Sequence, residues 1–224
     1  MLDWLPPNIS TYGAEIDKFF HVIYYITTTV FFLVTAVMIY FLIKYRYREG
    51  RKARYYHGNN VLEIIWTSAT FIAMIILALV TKPLWSEIKQ HVPPTDVTIK
   101  VTGKQFNWEV LYPGPDNAFG TEDDFQIDNS VNVPVNKPIR ILLNSKDVIH
   151  SFFVPSLRLK QDAVPGREIP AWFEATKTGR YEIPCAELCG FGHSGMLGHL
   201  IVHSPEGYRA WLDKTWPSPQ ESEN

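Results

Sequence analysis

Cys185-Ala-Glu-Leu-Cys189-Gly-Phe-Gly-His193-Ser-Gly-Met196 sets two thiols, an imidazole and a thioether into a single short loop. The chain of 224 residues has no other cysteine, so the chemistry of this loop dominates any functional reading. Thiolate and thioether are soft donors and imidazole is intermediate, a set that selects copper over magnesium, calcium or manganese. Met196 discriminates further. Structural zinc uses four Cys or His ligands, whereas copper electron-transfer sites use a weak methionine to tune potential. A single blue-type copper needs one thiolate, and this loop has two, which points to a second metal. Two cysteines four apart can each bridge a pair of copper ions. His150 and His193 are then terminal ligands, and Met196 and a backbone carbonyl, that of Glu187, complete the set.

Outward from the loop, the residues from Asp96 onward read as short strands broken by turns. Val97–Val101, Asn107–Tyr112, Pro138–Leu143, Ala171–Ala175 and Gly198–His203 are rich in β-branched and aromatic residues, the pattern of a β-sandwich or barrel. His199 and His203 alternate along the last of these runs and read as structural. Tyr208–Trp216 reads as a short helix, and 217–224 as a polar, disordered tail. The turn-rich stretch Pro113–Asp124 carries several carboxylates whose spacing does not fit an EF-hand. It reads as a solvated hairpin connection, with a calcium site or docking of a basic partner as alternative uses.

Further upstream the composition changes. Phe19 to Ile43 has no Asp, Glu, Lys or Arg, and Val61 to Val80 has a single acid, Glu63. Each run is long enough to cross a bilayer. Between them, Lys44 to Arg54 holds six basic residues and one acidic, so this loop is expected on the cytoplasmic side with both termini outside. The expected layout is an extracytoplasmic segment 1–18, a transmembrane hairpin 19–82 with basic cytoplasmic loop 44–60, an extracytoplasmic domain 83–216 and the tail 217–224. No separate cleavable signal peptide is expected, because the first residues lack a basic region and the first apolar run is too long. From residue 83 on there are 13 Lys/Arg against 18 Asp/Glu, which argues against nucleic acid as a partner. No Cys-x-x-Cys-His occurs, so no c-type haem is expected on this chain and the electron donor is a separate protein.

The loop and its distant histidine resemble the binuclear CuA site of subunit II of the haem-copper cytochrome c oxidases. Asp147-Val-Ile-His150-Ser-Phe152 resembles the first-ligand strand of that family, Leu159 to Arg167 the loop after it, and Leu62-Glu63-Ile-Ile-Trp-Thr67 the start of its second membrane helix. The resemblance runs from about residue 20 to about residue 212. It argues against a disulfide between Cys185 and Cys189. It implies a cupredoxin-like Greek-key barrel behind the hairpin, in a bacterial cell membrane. It implies two copper ions on His150, Cys185, Glu187 (by its carbonyl), Cys189, His193 and Met196, and a magnesium ion shared between the Glu187 carboxylate and subunit I.

Glu63 would then lie at the mouth of a proton-uptake route into subunit I, where haem reduces oxygen with proton pumping; subunit III is a further expected partner. Cytochrome c or another external carrier would be the donor. Two positions at the donor face depart from the family. In Gln105-Phe106-Asn107-Trp108, Phe106 stands where relatives commonly have the tryptophan that receives the electron, which leaves Phe106 and Trp108 as candidates. Lys146 stands where many relatives are acidic. A copper-delivery protein, a quinol oxidase subunit lacking copper ligands and the copper domain of nitrous oxide reductase are less favoured, because a caged ligand set and a two-helix anchor are both present.

Overall fold

A computed structural model of the chain describes residues 5–53, 55–95 and 97–216. The expected disordered tail 217–224 lies outside the described residues. The chain forms two compact units, one from Glu15 to Ser86 and the other from the residues up to Ala14 together with those from Glu87 onward.

The first unit is helical. Helix α1 spans Gly13–Lys44 and α2 spans Asn60–Lys89. At about 1.5 Å per residue both exceed the ~30 Å hydrocarbon thickness of a bilayer. They outrun the apolar stretches because the backbone pairing continues past the last apolar side chain. Asn59 starts α2, its Oδ1 accepting from the N–H groups of Val61 and Leu62, which satisfies donors the first helical turn leaves open. Their apolar side chains, Phe31, Phe32, Leu33 and Phe71 among them, are left exposed along the spans. Such surface is stable against lipid and costly against water.

The second unit is a β-sandwich. A five-stranded sheet has the order β3 (Phe125–Asp128), β2 (Asn107–Tyr112), β1 (Val97–Lys104), β5 (Pro138–Ser145), β8 (Ile169–Glu174). The facing sheet is β4 (Ser130–Pro134), β10 (Leu197–His203), β9 (Gly179–Pro184), and β6 (His150–Val154) pairs with β7 (Leu159–Ala163) as a separate ladder. β1 runs parallel to β5, and β10 parallel to β4. Burial alternates along β1, β2 and β5, so Ile99, Val101, Val110, Ile139, Ile141 and Leu143 all enter the core. A slip of one residue would turn every one of them outward. Trp108, Phe152 and Phe173 are the largest fully buried side chains.

Two elements differ from the sequence expectation. Leu159–Ala163, expected within a loop, is strand β7, with Ala163 opposite His150. Helix α3 begins earlier than Tyr208: it runs Pro205–Thr215, with Ser204 capping Gly207 N–H through its side chain. His203 packs as a structural group, its Nε2 2.9 Å from Asn132 Oδ1 and its ring stacked near Trp211.

An unexpected strap ties the N-terminal residues into the sandwich. Ile9 is buried, its N–H donating to Ser156 O while its own carbonyl accepts from Thr176 N–H at 2.7 Å. Tyr12 lies edge-on to Trp172, and the Trp172 indole N–H donates to Ile88 O at 2.9 Å. The chain thus leaves the β unit after the strap and rejoins it at Glu87.

Candidate metal centre

β9 and β10 are antiparallel neighbours, and the 185–196 segment is the loop that joins them. Cys185 N–H donates to Met196 O at 3.0 Å, closing the neck of this loop. Inside it, Met196 N–H returns to His193 O and His193 N–H to Gly190 O, so the loop coils on itself and aims its donors inward. Ala186 N–H donates to Ser151 O, which fastens the loop to β6 one residue after His150. Strand β1 passes close behind the imidazole: a Cβ on Gly103 would stand 2.7 Å from His150 Cδ2. Glycine there is a packing requirement.

The donor atoms converge. Cys185 Sγ lies 3.9 Å from His150 Nδ1 and 3.9 Å from Cys189 Sγ. Cys189 Sγ lies 3.5 Å from His193 Nδ1 and 3.8 Å from Met196 Sδ. Glu187 O is 3.3 Å from Cys185 Sγ, while the Glu187 side chain faces solvent. His150, Cys185, Cys189 and Met196 are buried, and both thiols are free. At 3.9 Å apart the two sulfurs are close enough for one ion to reach both at the roughly 2.3 Å of a metal–thiolate bond. With an imidazole beside each sulfur, the set is consistent with a CuA copper centre.

The electrostatics fit a cation. Burial, reinforced by the neighbouring Cys185, pushes the Cys189 thiol up to about 11, so two adjacent thiolates need positive charge between them. Asp147 Oδ1 sits 2.8 Å from His150 Nε2. Burial of Asp147 acts to raise its pKa, but donation from Gln105 N–H, His150 and Val148 N–H outweighs it and brings the carboxyl to about 2. An ionised acceptor on Nε2 fixes the proton there and leaves the Nδ1 lone pair facing Cys185. Gln105 also donates from Nε2 to Cys189 O at 2.5 Å. Neither orienting role was read from the sequence; an acid three residues before a ligand histidine was the available signal for Asp147.

The other expected site residues are distributed. Phe106 is half-exposed in the β1–β2 turn, its ring against the ligand loop, so that a Cβ on Gly192 would come within 2.5 Å of Phe106 Cδ2. Trp108 is fully buried, edge-on to both His150 and Phe152 with ring centroids 5.9 and 5.6 Å apart. A docking protein can touch Phe106 and cannot touch Trp108. Glu63 lies in the first turn of α2, in the other unit. The carboxylates of 113–124 serve as turn caps, Asp116 accepting from Ala118 N–H and Asp124 from Gly120 N–H. That loop leaves the far end of β2, six residues at about 3.3 Å each from the Phe106 turn, too far to form a rim around the copper loop.

Comparison with known proteins agrees with this geometry. The family model for the periplasmic domain of cytochrome c oxidase subunit II matches residues 97–204, and that for its transmembrane domain residues 4–84. An alternative cytochrome c oxidase subunit 2 of Bradyrhizobium diazoefficiens is 32% identical over 236 residues, covering 94% of this chain and 83% of that protein. Cytochrome c oxidase subunit 2 of Cereibacter sphaeroides is 33% identical over 238 residues, covering 93% and 78%. Among solved structures, the periplasmic domain of subunit II of cytochrome oxidase from Bradyrhizobium japonicum aligns with a TM-score of 0.50 at 37% identity, covering 56% of this chain and 96% of that one. With two apolar helices ahead of a β-sandwich that gathers His, Cys and Met donors, this integral membrane chain belongs to the subunit II family of the haem-copper cytochrome c oxidases.

Proposed function

We propose that the chain takes single electrons from a carrier outside the membrane at a binuclear copper centre and passes them to haem in subunit I, where oxygen is reduced to water with proton pumping. The observation that supports this most is the pair of unbonded thiols 3.9 Å apart, each with an imidazole nitrogen within 3.9 Å. His150, Cys185, Cys189, His193, Met196 and the Glu187 carbonyl would hold the two ions. When bound, the copper pair supplies a one-electron relay whose charge is spread over two metals.

The protein's own part is geometric. Cys185 and Cys189 present both sulfurs from one closed loop, and Asp147 and Gln105 hold the imidazole and the loop in register. Burial excludes water and keeps rearrangement on electron transfer small. The exposed Glu187 carboxylate is a hard oxygen donor of the kind magnesium takes alongside waters, and it would share that ion with subunit I. Glu63, an acid at the start of a membrane helix, is assigned the mouth of a proton-uptake route. Subunit III is a further expected neighbour, and cytochrome c the kind of carrier expected as donor. The basic loop at 44–60 would face the cytoplasm of a bacterial cell, with residues 1–18 and the domain 83–216 outside.

The test is flash reduction of the assembled oxidase. The copper absorption should bleach first and haem reduction follow, and Cys189→Ser should abolish both while haem stays reducible by a small mediator. Haem reduction at an unaltered rate in Cys189→Ser would contradict the relay.

A further inference from the structure

We infer that the sandwich carries a second binding site, for a small organic ammonium ion, in a cavity between α3 and the turn that follows β2. The site lies at the other end of β2 from the Phe106 turn, and it does not depend on the electron relay. The cavity measures about 360 Å³, within the range of small-ligand sites. Tyr112, Tyr208 and Trp216 line it with aromatic rings, Pro113 and Pro115 with stiff apolar surface, and Asp213 with a carboxylate. Each ring is held by another. Tyr112 and Tyr208 lie 5.0 and 5.6 Å from Trp211 between ring centroids, and Trp216 is edge-on to Phe125 at 5.8 Å. The Trp216 indole N–H donates to Asp123 O at 2.7 Å, and the Tyr112 hydroxyl is engaged with Asn132. The walls are therefore set before a ligand arrives, which lowers the cost of binding one.

The charge around the mouth selects a cation. Asp213 is exposed on α3 and makes no salt bridge among the described residues. Across the cavity Gly114 is part of the wall, and Asp123 stands directly behind it: a Cβ on Gly114 would come 1.9 Å from Asp123 Oδ2. Donation from Thr121 holds the Asp123 carboxyl below its usual range, so it is ionised at neutral pH. Asp116, Glu122 and Asp124 belong to the same turn. The cations of this end are fewer and partly engaged. Lys100 stands over Phe119 and pairs with Glu168, and Arg209 interacts with Glu206 one turn earlier. Lys137 and Arg140 lie beyond β1, beside Glu174 in the β5–β8 register, which leaves Lys214 on α3. Carboxylates outnumber cations, and an anion is repelled. A bare metal ion needs several converging oxygens, whereas this lining is mostly apolar and aromatic. Rings attract a cation through their quadrupole, and an ammonium ion carrying methyl groups brings apolar surface of its own. It satisfies the rings, the prolines and Asp213 together.

The experiment titrates the purified full-length chain, in a non-ionic detergent, by calorimetry with two guests. One is choline; the other is 3,3-dimethylbutan-1-ol, the alcohol of the same shape in which carbon replaces the ammonium nitrogen. Choline should bind saturably at a single site per chain, about tenfold or more tighter than the alcohol. Asp213→Asn should weaken choline about fivefold and leave the alcohol unchanged. Trp216→Leu keeps an apolar wall and removes a ring, so it should bring the two affinities closer together. Tyr208→Phe keeps the ring and should preserve their ratio. Because both guests probe one cavity, a variant that merely loosens α3 weakens both alike, and the ratio separates that effect from a lost cation contact. Equal affinity of the two guests for the wild-type chain overturns the site. So does an unchanged ratio in Asp213→Asn, or the absence of saturable choline binding below about 50 mM.

Discussion

Asp147 carries more of the site than its place in the sequence suggests. It accepts from His150 Nε2, from Gln105 N–H and from Val148 N–H, and by holding the imidazole proton on Nε2 it leaves Nδ1 free toward Cys185. Asp147→Ala should weaken copper binding about 10- to 100-fold, measured by competition with a chelator. Its depressed pKa also makes a stability contribution to the metal-free protein. That contribution is present above the ordinary carboxylate value of 3.8 and is lost as pH falls through about 2, so Asp147→Asn should flatten this part of an acid melt. The buried Cys189 thiol, held up to about 11, must lose its proton to bind metal, so apparent copper affinity should rise from about pH 6 to pH 8. A pH-independent affinity would contradict that. That His150, Cys185, Cys189, His193 and Met196 would converge was legible because donor type and spacing survive in a bare sequence. Asp147 and Gln105 were not, because their roles arise only when β1 and β6 bring residues 42 apart into contact.

The elements show a similar division. Strands β1, β2, β5, β8 and β10 announced themselves through β-branched and aromatic runs. β3 and β9 did not: Phe125-Gln-Ile-Asp128 and Gly179-Arg-Tyr-Glu-Ile-Pro184 mix polar and charged residues with few apolar ones, as strands open to solvent on one face do. β7 was hidden for the same reason, its Lys160, Gln161 and Asp162 reading as loop. The strap at Ile9 to Tyr12 was illegible because it pairs through a single isolated bridge, Ser10 with Ala175, just after Pro6-Pro7. Its packing makes a prediction. Ile9→Ala removes a fully buried side chain and should cost about 2–4 kcal/mol in thermal unfolding of the β unit. A melting point equal to wild type would show that the strap adds nothing. In the ligand loop, Gly192→Ala should drive the Phe106 ring from its place, slowing reduction by a protein donor more than by a small reductant.

Across the whole molecule, two chemistries are assigned to separate units. The β-sandwich gathers the electron-transfer donors, and the helical unit carries Glu63 in the first turn of α2. Glu63→Gln in the assembled oxidase should slow proton uptake and turnover while copper reduction keeps its rate; unchanged turnover would reduce α2 to an anchor. The hairpin and the copper loop were both plain in the sequence, one from apolar length and one from donor chemistry. The double pairing of Glu109 was not, because it depends on Lys104 and Lys146, distant in sequence, reaching the same carboxylate. The central claim is that Cys185 and Cys189 hold two copper ions between them. The most direct measurement is metal content together with electron paramagnetic resonance of the full-length chain, copper-loaded in detergent with its N-terminal strap intact. Two coppers per chain sharing one unpaired electron over both nuclei is the predicted result, and one copper with a single-nucleus hyperfine pattern would contradict it.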